Sequence, residues 1–235
     1  MKGFTDAPRE TPLPNLLHPQ CGGRGAVRSL RCGKEICSGI YVDTGLRQIL
    51  RIVSTPTLVK KLGTNPHASP LLQKAKHLGL DSAAKLESLG VARGCWHYRC
   101  PGLAPAPDVS QSEFNNEELA VTLLSTMLPY SPHTIRVGAA MLGATGNDVE
   151  LVVRLVMAEG CVAPVRYIAN AGLRFEPDNL FWRQLLDGSP ETPPIPGGVM
   201  PHPTRFVSMT GMTRAGMRPV TIWIRPRPDL ALAHG

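Results

Sequence analysis

The side chains best suited to chemistry in this sequence are its cysteines. Cys32-x4-Cys37 and Cys95-x4-Cys100 repeat one spacing, with His97 inside the second pair and Cys21 upstream of the first. Four thiolates could hold a zinc ion tetrahedrally, and a structural metal would order a stretch that has little other pattern. Two facts stand against it: zinc ligands are more often separated by two residues than by four, and no aromatic core surrounds Cys32. A disulfide is disfavoured further, because nothing in the sequence marks the chain for export. Unligated thiols are the expected state, with zinc on Cys32, Cys37, Cys95 and Cys100 as the alternative. Cys161, at a helix boundary, is expected to be a small buried residue.

Two histidines of the second half stand in or beside patterned stretches: His133, three residues after Tyr130, and His202 in Met200-Pro-His-Pro-Thr204. Neither has a Cys, Asp or Glu nearby in sequence that forms a catalytic signature, so surface or packing roles are expected for both. Thr145-Gly-Asn-Asp148 and Gly22-Gly-Arg-Gly25 match neither glycine-rich phosphate-loop pattern. No active site and no cofactor are expected on these grounds. The enzyme alternative is a site assembled from residues distant in sequence, which leaves no local trace.

Charge is more informative. The net charge of +7 is split unevenly: residues 1–112 hold 15 Lys+Arg against 7 Asp+Glu, and residues 113–235 hold 10 against 11. All seven lysines lie in the first half. Lysine and arginine clusters gain affinity for a phosphate backbone by releasing its counterions. Two clusters qualify. Lys74, Lys76 and Lys85 stand on an expected helical hairpin, and Arg205, Arg214, Arg218, Arg225 and Arg227 gather around an expected β-hairpin with Phe206 and Trp223. The expected function is a small intracellular, non-enzymatic binding or regulatory module that contacts nucleic acid, DNA or RNA, through these residues. The alternative is a protein–protein adaptor that docks through the small-residue helix at Gly138–Ala140 or the proline-rich arm at Pro190–Pro196.

The elements that must carry these residues follow from periodicity and punctuation. Residues 1–45 show no period, and 45–53 would suit a helix or a strand. Helices are expected at Thr57–Leu62, at Pro70–Leu78 behind Ser69 and at Ser82–Leu89 behind Asp81. Residues 101–112, rich in proline, read as a linker. Beyond it, Asn115 with Glu118 forms a capping box for a helix at Glu117–Leu128, and Ser131-Pro132 opens another. Asp148–Glu159 has the most continuous apolar pattern and is expected to be the central helix, capped by Asn147, with only Glu150, Arg154 and Met157 meeting water. Ala163–Ala171 ending at Gly172, and a helix capped by Asp178, complete five short helices in about 75 residues. Arg205–Met212 and Pro219–Arg225 alternate as a hairpin does.

The fold class expected is therefore mainly α: a bundle of about five short helices followed by a C-terminal β-hairpin, the order of elements in a winged helix, behind a weakly structured basic N-terminal half. Two regions are expected. Residues 1–112 form a basic, partly disordered region with a helical hairpin at 57–93, and residues 113–235 form the helical domain with its hairpin. No signal peptide and no apolar run of about 18 to 20 residues is found, so a cytoplasmic chain with no membrane partner is expected.

Overall fold

The structure, a computed structural model, describes residues 55–213 and 216–227. Among them the chain forms eight helices: α1 (Leu58–Leu62), α2 (Pro70–His77), α3 (Ala83–Ala92), α4 (Asn116–Leu123), α5 (Pro132–Leu142), α6 (Val149–Ala158), α7 (Val162–Phe175) and α8 (Leu180–Gly188). Two strands follow, β1 (Val207–Thr213) and β2 (Gly216–Trp223). They pair antiparallel from Val207 opposite Trp223 to Thr213 opposite Gly216, with irregular register near Met212. This is the mainly α class with a C-terminal hairpin. The expectations for residues 1–53, Cys21, Cys32 and Cys37 included, lie outside the described residues, as does Arg214.

Side-chain caps set most helix starts. Ser69 Oγ accepts from Leu72 N at 3.0 Å, Ser131 Oγ from Thr134 N at 3.3 Å, and Asn115 with Glu118 makes the full capping box. Three caps differ from expectation by one residue. Ser82 caps α3 rather than Asp81, and Asn179 caps α8 rather than Asp178. At α6 the cap is Asp148, whose Oδ1 accepts from Glu150 N and Leu151 N. Asn147 serves the helix before it, donating Nδ2 to the carbonyls of Met141 and Leu142 at 2.9 Å each. Adjacent Asn and Asp compete for one cap, and the winner is decided by which carbonyls lie within reach of the other.

The central helix is α5, not α6. In α5 every residue from Thr134 to Leu142 except Arg136 is buried, whereas α6 buries only Val152 and Val156. Its strip of Glu150, Arg154 and Met157 is exposed as expected. Small residues explain the exchange of roles. A Cβ on Gly138 would lie 2.9 Å from Leu124 Cγ, and one on Gly90 would lie 2.8 Å from Val137 Cγ1, so α4 and α3 both press against α5. Small side chains weaken an apolar pattern in sequence while permitting the closest packing in space. The same burial removes Gly138–Ala140 as a docking surface.

Gly172 gives a second correction. The helix expected to stop there runs on to Phe175, and the glycine is where the Trp182 ring packs, 2.7 Å from Trp182 Cγ to the place a Cβ would occupy.

Residues on both sides of the proline-rich stretch share one core. Leu58, Leu71, Leu80, Leu86 and Leu89 belong to the same buried cluster as Leu119, Leu123, Ile135 and Met141. Val59 N also bonds Thr126 O at 2.8 Å, and Tyr130 N bonds Pro56 O at 2.9 Å. The stretch itself is held down by Arg93, whose Nη2 donates to the carbonyls of Val109 and Ser110 at 3.3 Å.

Candidate functional site

The expected binding surface centres on the hairpin, and its base is fixed by aromatic packing. Trp223 is buried, with its ring centroid 4.9 Å from Trp182 and 5.6 Å from Phe206, and its Nε1 donates to Ala139 O at 3.3 Å. A Cβ on Gly143 would lie 2.5 Å from Trp223 Nε1, so this position accepts the indole only as glycine. Beyond β2, Ile224 N bonds Phe206 O, Arg225 Nε donates to Gly143 O at 2.7 Å, and Arg227 N bonds Gly94 O at 2.9 Å. Each buried indole removes roughly 200 Å² from water, on the order of 5 kcal/mol as an upper figure. An exposed ion pair contributes at most about 1 kcal/mol. The rings anchor the hairpin, and the polar contacts fix its orientation.

The turn end lies at the other end of the ladder. Six residue steps separate Val207 from Thr213, which at about 3.3 Å per step places the turn about 20 Å along the ribbon from the anchored pair.

The described arginines and lysines expected to contact phosphate divide into four groups. Arg225 is committed to the fold: Nη1 donates to Glu176 Oε1 at 2.6 Å, and Nη2 bonds Glu176 Oε2. Lys74 and Lys85 are also paired, the first with Glu118 at 2.6 Å and the second with Asp81 at 3.0 Å, both near the surface. Lys76, Arg205 and Arg227 have exposed side chains. Arg218 lies on β2, next to Pro219 opposite Met212.

The cysteine pair does not act as a pair. Cys95 is buried, and burial pushes its thiol up to about 12, whereas Cys100 is at the surface. No group of three or more His, Cys, Asp or Glu side chains that could hold a metal ion occurs among the described residues. His97 is exposed, with its ring 5.2 Å from that of Tyr98. His202 caps a 3-10 turn at Pro203–Arg205, with Nδ1 2.8 Å from Thr204 Oγ1. Cys161 is fully buried, as expected.

His133 is half-buried and meets partners distant in sequence. It stands in the first turn of α5 with Nε2 3.8 Å from Cys100 Sγ and 3.7 Å from Glu87 Oε2. Glu87, only 9% exposed on α3, is held from its other oxygen by Thr134 Oγ1, which donates to Oε1 at 2.5 Å. Tyr98 closes the group with its ring edge-on to His133, centroids 6.0 Å apart, and its hydroxyl donating to Arg205 O. Burial, ahead of the opposing charge of Arg136, pushes that hydroxyl well above the usual phenol range. Beside Cys100 opens a cavity of about 560 Å³, lined by Ser88, Val91, Trp96, Arg99 and Leu103 among others. Glu87 was missed because nothing in its local sequence marks it, whereas α3 buries every residue from Leu86 to Val91. Residues 87, 100 and 133 come from three elements, so no sequence window contains two of them at a diagnostic spacing.

Comparison with protein families, with curated proteins and with solved structures finds no match to this chain. No helix among the described residues is long and apolar enough to cross a membrane.

Proposed function

We propose that this chain is a binding module for nucleic acid, with the C-terminal hairpin as its contacting arm. The observation that carries the reading is the division of labour along the ribbon. Its base is locked by Trp223, Phe206 and the Arg225–Glu176 pair. The turn end, about 20 Å away at the rise of an extended strand, carries Arg218, and Arg214 follows Thr213 in sequence. A two-stranded ribbon held at one end and basic at the other can lie along a groove and straddle a phosphate backbone. The exposed Lys76 and Arg205, with the basic excess of residues 1–112, add to the same long-range field.

Salt dependence of binding tests this reading. Fluorescence anisotropy with a labelled duplex should show log affinity falling linearly with log salt. The double variant Arg214→Ala and Arg218→Ala should flatten that slope by up to about 0.9 for each phosphate that is no longer neutralised. Arg225 is left intact, because its guanidinium holds the hairpin to the bundle. Absence of binding to either DNA or RNA at low salt would sink the proposal and favour a protein partner on the Pro190–Pro196 arm.

A further inference from the structure

We infer that Cys100 is a nucleophilic thiol served by His133 as base, and that the site takes an acyl group from an activated ester whose apolar part lies in the cavity beside it. This activity is independent of nucleic-acid binding and adds to it. Three observations carry it. The thiol is at the surface and within reach of an imidazole nitrogen, at 3.8 Å. The same nitrogen faces the carboxylate of Glu87, only 9% exposed, at 3.7 Å, so base and carboxylate stand together beside the thiol. The carboxylate is itself fixed by Thr134 and cannot swing away. Glu87 is thus a positioning residue; the titratable groups facing His133 are Glu87, Cys100 and Tyr98, and the charge of Arg136 acts on Tyr98.

The choice of an acyl donor follows from what surrounds the thiol. An acyl thioester needs only water to clear it. The cavity walls supplied by Val91, Trp96 and Leu103 suit an apolar chain.

The steps balance with water as the second substrate. Cys100 Sγ attacks the carbonyl carbon, its proton passes to His133 Nε2, the ester C–O bond breaks and the leaving alcohol takes that proton. Water then adds to the thioester carbon, the C–S bond breaks, and the carboxylic acid leaves as the thiol regains a proton.

The test uses the full chain with p-nitrophenyl butyrate, following p-nitrophenolate release and mapping the butyryl group by peptide mass spectrometry. The expected result is a butyryl thioester on Cys100, formed at least tenfold faster than on glutathione at neutral pH. Release should fall by about 100-fold or more in Cys100→Ser and in His133→Gln, the scale of a positioned base. Glu87→Gln should lower kcat with KM for the ester unchanged. Free imidazole should restore part of the butyryl labelling of Cys100 in His133→Ala, read on the peptide because imidazole cleaves the ester by itself, and this separates loss of a base from loss of fold. Acylation no faster than that of glutathione, a butyryl group found on other residues, or an unchanged rate in His133→Gln would each overturn the inference.

Discussion

Arg225 and Glu176 form a two-pronged ion pair across 49 residues of sequence, with Nη1 to Oε1 at 2.6 Å. Glu176 lies just beyond α7 and also accepts from Trp182 Nε1 at 3.0 Å and Asn179 Nδ2 at 2.9 Å. One carboxylate thereby joins the exit of the hairpin to the turn between α7 and α8. Arg225→Ala should destabilise the fold by about 2 kcal/mol, the range for a hydrogen bond to a charged group, read as a lower urea midpoint. A change within about 0.5 kcal/mol would mean that the indole packing alone holds the hairpin.

The same carboxylate sets a pH dependence. Burial pushes Glu176 up, but the hydrogen bonds from Arg225, Asn179 and Trp182 and the charge of Arg225 together hold it below the ordinary carboxylate value. A carboxyl group depressed in the folded state contributes stability above its unfolded value, and that contribution is lost as pH falls through the folded one. Stability should therefore decline on acidification below about pH 4.5. Arg225→Ala should show a shallower decline there, because the depression is relieved; parallel curves for the two proteins would refute the assignment.

Gly172→Ala should be among the more damaging single substitutions. A methyl group there would lie 2.7 Å from Trp182 Cγ, inside contact distance of a fully buried ring. Overpacking of this kind costs about 1–3 kcal/mol. Since Trp182 also meets Trp223, the shift should appear in tryptophan fluorescence as well as in thermal unfolding. Unaltered fluorescence and melting would show that the ring has room to move.

Ser69 and Glu159 tie α2 to the end of α6. Glu159 is 1% exposed, and its carboxylate accepts from Ser69 Oγ and from Leu71 N at 2.8 Å. Ser69→Ala would remove this donor and the α2 cap together, leaving a buried carboxylate oxygen without a partner, for about 2–4 kcal/mol. That corresponds to a fall in Tm of roughly 5–15 °C for a chain of this size. A Tm within about 2 °C of the parent would mean that water reaches Glu159 in place of the hydroxyl.

The sequence by itself determined the class of the fold and most of its local grammar. The Asn115–Glu118 box, Ser69-Pro70 and Ser131-Pro132 open helices where their chemistry requires, because a cap acts within one turn and needs nothing from the rest of the chain. The alternation of residues 205–225 likewise specified a hairpin. What the tertiary structure decided was which helix is innermost and which side chains meet. Helix α6 has the stronger apolar pattern, yet α5 is central, because Gly138, Ala139 and Ala140 admit neighbours that larger residues would hold off. The Arg225 guanidinium reads as a phosphate contact in sequence and is spent on Glu176 in space. Cys100 reads as an unligated thiol, with zinc shared with Cys95 as the alternative, and only the fold sets it beside His133, which in turn faces Glu87. Periodicity reports the face a residue occupies on its own element; the partner it finds depends on how three elements cross, and no local interaction encodes that crossing.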